Sequence, residues 1–314
     1  CHRSSTSCNP SSNPKGSITM TYSPLANLSA TREVLDRFGL GAKYSLGQNF
    51  LVDDNIIGRI LEVSGLLEAE GHDRDIIEIG PGVGTLTVAL LDHARVTSVE
   101  FDKDLPPVLA ETTEFNGECF ALIQKDALKV TEDDVREAFA SIKGAMPSML
   151  VSNLPYAVAA TVILDWFEKF DFLQSMTVMV QSEVADRIAA QKGCKDYGAY
   201  TIKLRMFAQT VKRFQVSPSC FYPAPRVESA VIRLDRQELC QDREVLAAAC
   251  RVADAAFAQR RKNIRNSMKS RFDTETVDAL LATCGIDPKT RGESLDVEQY
   301  LQLGEELLKL EARA

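Results

Sequence analysis

Asp75-Ile76-Ile77-Glu78-Ile79-Gly80-Pro81-Gly82-Val83-Gly84-Thr85 is the stretch that decides the fold of this chain. Its apolar half, ending at Ile79, is short and rich in β-branched residues, so it reads as a strand. The three glycines end that strand and turn the backbone into a helix over Thr85 to Leu91, with Leu86, Leu90 and Leu91 towards the sheet. A glycine turn from strand to helix lets the main chain approach a ligand closely and points helix N-terminal amides at it. Arg95 to Glu100 is the second strand. Glu100 comes 20 residues after Gly80, the interval at which a carboxylate accepts hydrogen bonds from ribose hydroxyls. These segments predict a nucleoside-binding βαβ unit.

The glycine spacing bears on which nucleoside. Dinucleotide sites use G-x-G-x-x-G, where the glycines make room for a pyrophosphate. Here the spacing is G-x-G-x-G, with Thr85 where the third dinucleotide glycine would fall. Glu78, just ahead of the first glycine, would repel a pyrophosphate and favour a cationic ligand. S-adenosylmethionine carries a sulfonium and an ammonium, so the local pattern favours a methyltransferase over a nicotinamide dehydrogenase. Both stay open on these residues alone.

At 314 residues the chain is long enough for about two domains. Its 45% hydrophobic and 25% charged content is ordinary for a soluble globular protein. No apolar run approaches the roughly 18 residues of a membrane span. None of the eight cysteines forms a C-x-x-C pair and the three histidines supply no cluster, so neither a metal site nor a disulfide framework is expected. Reduced thiols and a cytoplasmic location follow. Residues 1–19, rich in Ser, Asn and Pro, read as a disordered or appended lead-in before Met20. A net charge of −8 argues mildly against a nucleic-acid partner for the chain as a whole.

Outward from the glycine turn, strands and helices alternate, which predicts a doubly wound α/β sheet. Cys119 to Gln124 is a third strand, followed by Asp126, which suits either the exocyclic amine of an adenine or a simple turn cap. The strand Met149-Leu150-Val151 runs into Asn153-Leu154-Pro155-Tyr156. Pro155 cannot donate to a sheet ladder, so these four residues form a loop at the strand's carboxyl end, where open α/β sheets bind ligands. The loop gathers an amide, a carbonyl and an aromatic ring, with no acid, base or nucleophile. Alone, it also reads as an ordinary Asn-X-Pro turn.

Helices are expected over 133–141, 158–170 and 185–191, and a fifth strand over 175–180. Residues 201–213 carry Lys203, Arg205, Lys212 and Arg213 without an acid. Phe221-Tyr222-Pro223-Ala224-Pro225 is read as irregular because two prolines flank one residue, and Ser229 to Leu234 as the strand that closes the sheet. Upstream, Gln48 and Asn49 stand just before a helix capped at Asp53 to Asn55. From about Gln237 the pattern is helical. Residues 260–271 (RRKNIRNSMKSR) hold six basic residues and no acid, either a solvated face or a confined phosphate-binding patch.

Eight stretches together resemble the rRNA adenine N6-dimethyltransferases, in particular the small-subunit dimethyladenosine transferases. They are LGQNFL (46–51), EIGPGVGTLT (78–87), VEFD (99–102), KDAL (125–128), NLPY (153–156), VQSEVADR (180–187), FYPAPRVESAV (221–231) and QRRKNIRNS (259–267). They follow the family's order across most of the chain after Ala42. Tyr44-Ser45 depart from the basic residues the family often carries there.

The resemblance implies a Rossmann-like class I methyltransferase sheet over 20–236 and a small all-helical RNA-binding domain over 237–314. It implies S-adenosylmethionine as cofactor, with Gln48 and Asn49 at the methionine portion and Gly80, Gly82 and Gly84 beneath it. Glu100 would bind the ribose and Asp126 the adenine amine, with Leu51, Glu78 and Asn153 completing the set. Asn153, Leu154, Tyr156 and Phe221 would be catalytic, flanking a target adenine. Lys203, Arg205, Arg260, Arg261, Lys262 and Arg265 would face RNA. The implied partner is rRNA within an assembling small ribosomal subunit, met by a monomer. An RNA-binding assembly factor without catalysis is the rival from another class.

Overall fold

The computed structural model describes residues 21–43, 46–68 and 74–313. The expected lead-in, Tyr44 and Ser45 lie outside these residues. Numbered along the chain, β1 (Phe50–Leu51) and β8 (Phe221–Tyr222) form a two-stranded antiparallel ribbon. The main sheet comprises β2 (Asp75–Ile79), β3 (Arg95–Glu100), β4 (Phe120–Gln124), β5 (Met149–Asn153), β6 (Ser175–Gln181), β7 (Ala208–Val216) and β9 (Ser229–Arg236). Their order is β4-β3-β2-β5-β6-β9-β7. The first five of these are mutually parallel, and β9 runs antiparallel to both β6 and β7.

Every residue of β2 is buried, as a central parallel strand covered on both faces requires. The order reverses between β2 and β5, so the crevice for a ligand opens at their carboxyl ends. Helix α2 (Asp54–Ser64) begins where the Asp53 carboxylate accepts the N–H groups of Asn55 and Ile56. It ends at Gly65, whose φ of 77° is the left-handed conformation glycine adopts freely. Helix α3 (Thr85–Leu91) packs with α2 and the inner faces of β2 and β3 in one apolar cluster.

The other face carries α5 (Glu132–Ser141), α6 (Ala159–Lys169), α7 (Ser182–Ala189) and α8 (Ala199–Arg205). Its core runs on without a break into α9 (Arg243–Ala256), α10 (Ile264–Met268), α11 (Thr274–Thr283) and α12 (Val297–Glu311). Two helices not read from the sequence, α1 (Leu28–Arg37) and α4 (Pro106–Thr112), frame a third, smaller cluster around Phe50 and Val83.

The structure corrects three expectations. Residues 229–236 do not close the sheet, since β9 is an inner strand and β7 forms the edge. β7 escaped notice because its residues 209–213 all face solvent, leaving no apolar run, and its register slips between Thr210 and Lys212. Phe221-Tyr222 is regular after all, paired with Leu51 and Phe50 until a cis Tyr222–Pro223 bond ends the ribbon. Helix α7 starts at Ser182, directly after the strand, rather than at 185.

Candidate active site

The carboxyl ends of β2, β3, β4 and β5 surround a cleft of about 300 Å³, lined among others by Gln48, Asn49, Leu51, Glu78, Gly80 and Gly82. Glu100, Asp126, Asn153, Leu154 and Tyr156 line it too. The glycine turn is its floor. Gly80 has φ 69° and a methyl there would lie 3.1 Å from Pro155 Cγ and Cδ. Gly82 has φ 60°, and its added methyl would meet the Phe50 ring at 3.1 Å. Both the backbone angle and the close neighbours therefore require glycine.

Two carboxylates meet the cleft, and burial pushes the pKa of both upward. Glu100 accepts the Asp102 N–H at 2.7 Å. Burial pushes its pKa up, opposed by the N–H groups of Asp102, Gly82 and Phe101. Glu78 is 1% exposed, and its Oε2 accepts the hydroxyls of Thr87 at 2.7 Å and Ser98 at 2.8 Å. Burial raises its pKa to about 7, so near neutrality it is only partly ionised. A cation in the cleft would favour the ionised form. Glu78, expected from the sequence to be a plain negative charge, is through its burial a titrating one.

A stability consequence follows. Between the ordinary 4.5 and about 7, folded Glu78 binds more proton than the unfolded chain. Stability attributable to this group is therefore present below that window and lost as pH rises through it. The melting temperature without ligand is expected to fall across that range, and Glu78→Gln to flatten the fall. Equal pH slopes in calorimetric scans of the two proteins would refute it.

Asn153 is the last residue of β5, and its Nδ2 donates to the Asn49 carbonyl at 3.2 Å. Because that partner can only accept, the amide's NH₂ end is fixed there and its carbonyl is left for the cleft. Leu154 is buried, its N–H held by Met179 O at 3.1 Å. Its own carbonyl accepts no hydrogen bond among the described residues, whereas that of Pro155 takes the N–H groups of Val158 and Ala159. Tyr156 is half-buried and its hydroxyl meets Ser229 Oγ at 2.5 Å, so the ring is braced from β9. Asp126 Oδ1 caps a short turn through Leu128 N–H at 3.1 Å, and the residue lines the cleft.

The profile of ribosomal RNA adenine dimethylases matches residues 39–309. Ribosomal RNA small subunit methyltransferase A of Clostridium botulinum (strain Loch Maree / Type A3) is 40% identical over 282 residues, 88% of this chain and 97% of the relative. The chain belongs to the ribosomal RNA adenine dimethylase family. A second relative of the same description, from Geobacillus thermodenitrificans (strain NG80-2), is 37% identical over 300 residues, 92% of this chain and 99% of its own. Among solved structures, the 23S rRNA methyltransferase ErmE is 27% identical, with a TM-score of 0.59 over 82% of this chain and 99% of that one. A dimethyladenosine transferase from Plasmodium falciparum shares the fold, with a TM-score of 0.65 at 20% identity over 83% of this chain and 98% of its own.

Within this dimethylase frame, several expected residues sit elsewhere. Phe221 is 4% exposed and packed in the core beside Leu51, behind the cleft wall rather than in it. Lys203 pairs with Asp254 at 2.9 Å, and Arg205 donates to Ala190 O at 2.6 Å beneath the Tyr197 ring. Arg265 forms two short bonds to Asp278, at 2.5 and 2.6 Å. Their head groups are thus engaged by other elements of the protein. Arg260, Arg261 and Lys262 remain exposed, with no carboxylate partner among the described residues.

Gln48 lines the cleft, yet its amide is engaged at both ends, by Lys43 N–H at 2.9 Å and Asp102 at 2.8 Å. Three cleft features were missed. Phe101 lies 63% exposed at the rim, an aromatic left open beside Glu100. Thr85 Oγ1 is buried with no hydrogen-bond partner among the described residues, and Thr85 lines the cleft. Lys43 and Asp102 are joined across 59 positions, a pairing no local pattern signals.

Proposed function

We propose that this chain transfers methyl groups from S-adenosylmethionine to the N6 amine of two adjacent adenosines in small-subunit rRNA, dimethylating both. The observation that carries the proposal is the Asn153 amide, pinned by its NH₂ end at Asn49 so that a carbonyl is offered to an incoming amine. The cleft suits the cofactor on its own chemistry. The orphaned Thr85 hydroxyl can donate to a carboxylate, Glu78 can answer a cation, and the glycine floor leaves room beneath. Glu100 would take the ribose hydroxyls, Asp126 the adenine amine, and Asn49 and Leu51 would wall the methionine portion. When bound, the cofactor supplies an electrophilic methyl on a sulfonium.

An adenine amine is a weak nucleophile because its lone pair is conjugated into the ring. The Asn153 Oδ1 and the Leu154 carbonyl, accepting its two N–H groups, favour pyramidalisation and stabilise the charge that develops. Tyr156, braced at Ser229, provides a surface on which the extruded base stacks, worth roughly 1–3 kcal/mol. Phe221 would act indirectly, by supporting Leu51. No general base is required, since the product ammonium loses its proton readily to water. We further propose a cytoplasmic monomer that meets its rRNA in an assembling subunit, with residues 237–314 as the substrate-binding unit.

The test is transfer of radiolabelled methyl to unmodified small subunits, large subunits and naked rRNA in parallel. Label in the small-subunit arm, mapped to N6-dimethyladenosine, is expected. Label confined to the large subunit, or none anywhere, would refute it. The exposed basic run gives a separate prediction. Neutralising Arg260, Arg261 and Lys262 together should reduce the slope of log affinity against log salt by up to about 2, at roughly 0.7 per phosphate contact. Lys203→Met should leave that slope alone, because its charge is already paired with Asp254. Filter binding over a salt series measures both.

A further inference from the structure

The strap of residues 46–49, which carries Gln48 and Asn49, is tied down on two sides. On one side Lys43 Nζ donates to Asp102 Oδ1 at 2.6 Å and to Asp104 Oδ2 at 2.5 Å. Gln48 closes a ring with this pair, accepting the Lys43 N–H at 2.9 Å and donating to Asp102 Oδ2 at 2.8 Å. Asp102 in turn gives its own N–H to Glu100 Oε1 at 2.7 Å. On the other side, the Asn49 carbonyl holds Asn153 Nδ2 at 3.2 Å. A connected path thus runs from the Glu100 carboxylate, through Asp102, Gln48 and the strap's main chain, to the Asn153 amide.

The side chains of Asp102 and Lys43 are 5% and 33% exposed, so the pair is sheltered and weakly screened by salt. Gln48 has both amide ends committed within the ring, which suits a strut better than a ligand-binding group.

We propose that Lys43 and Asp102 are positioning residues for methyl transfer, seating the strap so that the Asn49 carbonyl fixes the orientation of the Asn153 amide. This rests on the role given to Asn153 above. A primary amide turned end for end has nearly the same shape, so only its partners decide whether oxygen or NH₂ faces the cleft. With Asn49 in place, the oxygen faces the amine. With the strap lifted, the NH₂ end can turn inwards, where it opposes the amine's own N–H groups. The ring has a second effect, because the same Asp102 main chain helps hold Glu100. The strap therefore joins the cofactor end of the cleft to the target end.

Lys43→Met, Lys43→Arg, Asn153→Ala and the double variant Lys43→Met/Asn153→Ala test this in the full chain, with small subunits as substrate. Lys43→Met is expected to lower kcat about tenfold, the scale of a sub-ångström misplacement, with the KM for subunits within about twofold. Lys43→Arg should restore most of the loss. In the Asn153→Ala background, Lys43→Met should cost less than about twofold more, since the group it positions is gone. The side-chain amide protons of Asn153 should exchange faster with solvent in Lys43→Met, by nitrogen-15 NMR, with an unchanged melting temperature. A full tenfold further loss in the Asn153→Ala background, or unchanged amide exchange, would overturn the coupling and leave the role of Asn153 standing. Wild-type turnover in Asn153→Ala alone would overturn both.

Discussion

Asn153→Ala is expected to lower turnover by about 10²–10³ while cofactor affinity stays within about twofold. That factor is the cost typical of removing one preorganised partner from a developing charge. The amide is supplied at the end of β5, one residue before Leu154, whose N–H is held by Met179. Alanine keeps this backbone and leaves the Leu154 carbonyl in place, so one of two acceptors remains and activity should not vanish. The amine's charge appears only as the bond to carbon forms, so the loss should fall on kcat rather than on KM. Single-turnover rates and calorimetric cofactor titration on the same protein separate the two effects. Wild-type turnover would remove Asn153 from the chemistry, and a cofactor affinity weakened as much as turnover would move it to the cofactor's side.

Glu100→Ala carries the second large effect, on binding rather than on rate. A carboxylate accepting ribose hydroxyls makes charge-assisted bonds worth about 1.5–3 kcal/mol each. The net loss should be about 10²-fold in cofactor dissociation constant, roughly 2.7 kcal/mol. The same substitution also frees the N–H of Asp102, at present held at 2.7 Å. Glu100→Gln separates these contributions, because its carbonyl can still accept that N–H while the charge is gone. An unchanged dissociation constant for Glu100→Ala by titration calorimetry would take Glu100 out of the site.

Much of the site was legible because its parts are local in sequence. A strand, three glycines and a carboxylate after a second strand announce themselves within 26 residues, from Asp75 to Glu100. The Asn153 loop was legible as a loop and gained its meaning from its companions. What escaped was non-local. Lys43 meets Asp102, 59 positions away, only in the folded chain. Phe221 was expected beside the target base from the family resemblance, yet pairing with Leu51 buries it.

The basic residues divide in the same way. Lys203, Arg205 and Arg265 look like their neighbours in the sequence, but each lies near a carboxylate or carbonyl from another element. Arg260, Arg261 and Lys262, in the link between α9 and α10, are exposed and have no carboxylate partner among the described residues. Absence of acids nearby in sequence says little about acids nearby in space.

The insertion of β9 between β6 and β7 leaves a nine-residue strand with one unpaired rim, a natural template for a second chain to extend the sheet. That rim carries its own safeguards. The slip in register around Val211, which is 46% exposed, twists the strand locally out of line. Lys212 follows at once and places an exposed charge on the rim. The polarity that hid β7 from a sequence reader is of the kind that blunts an open sheet edge.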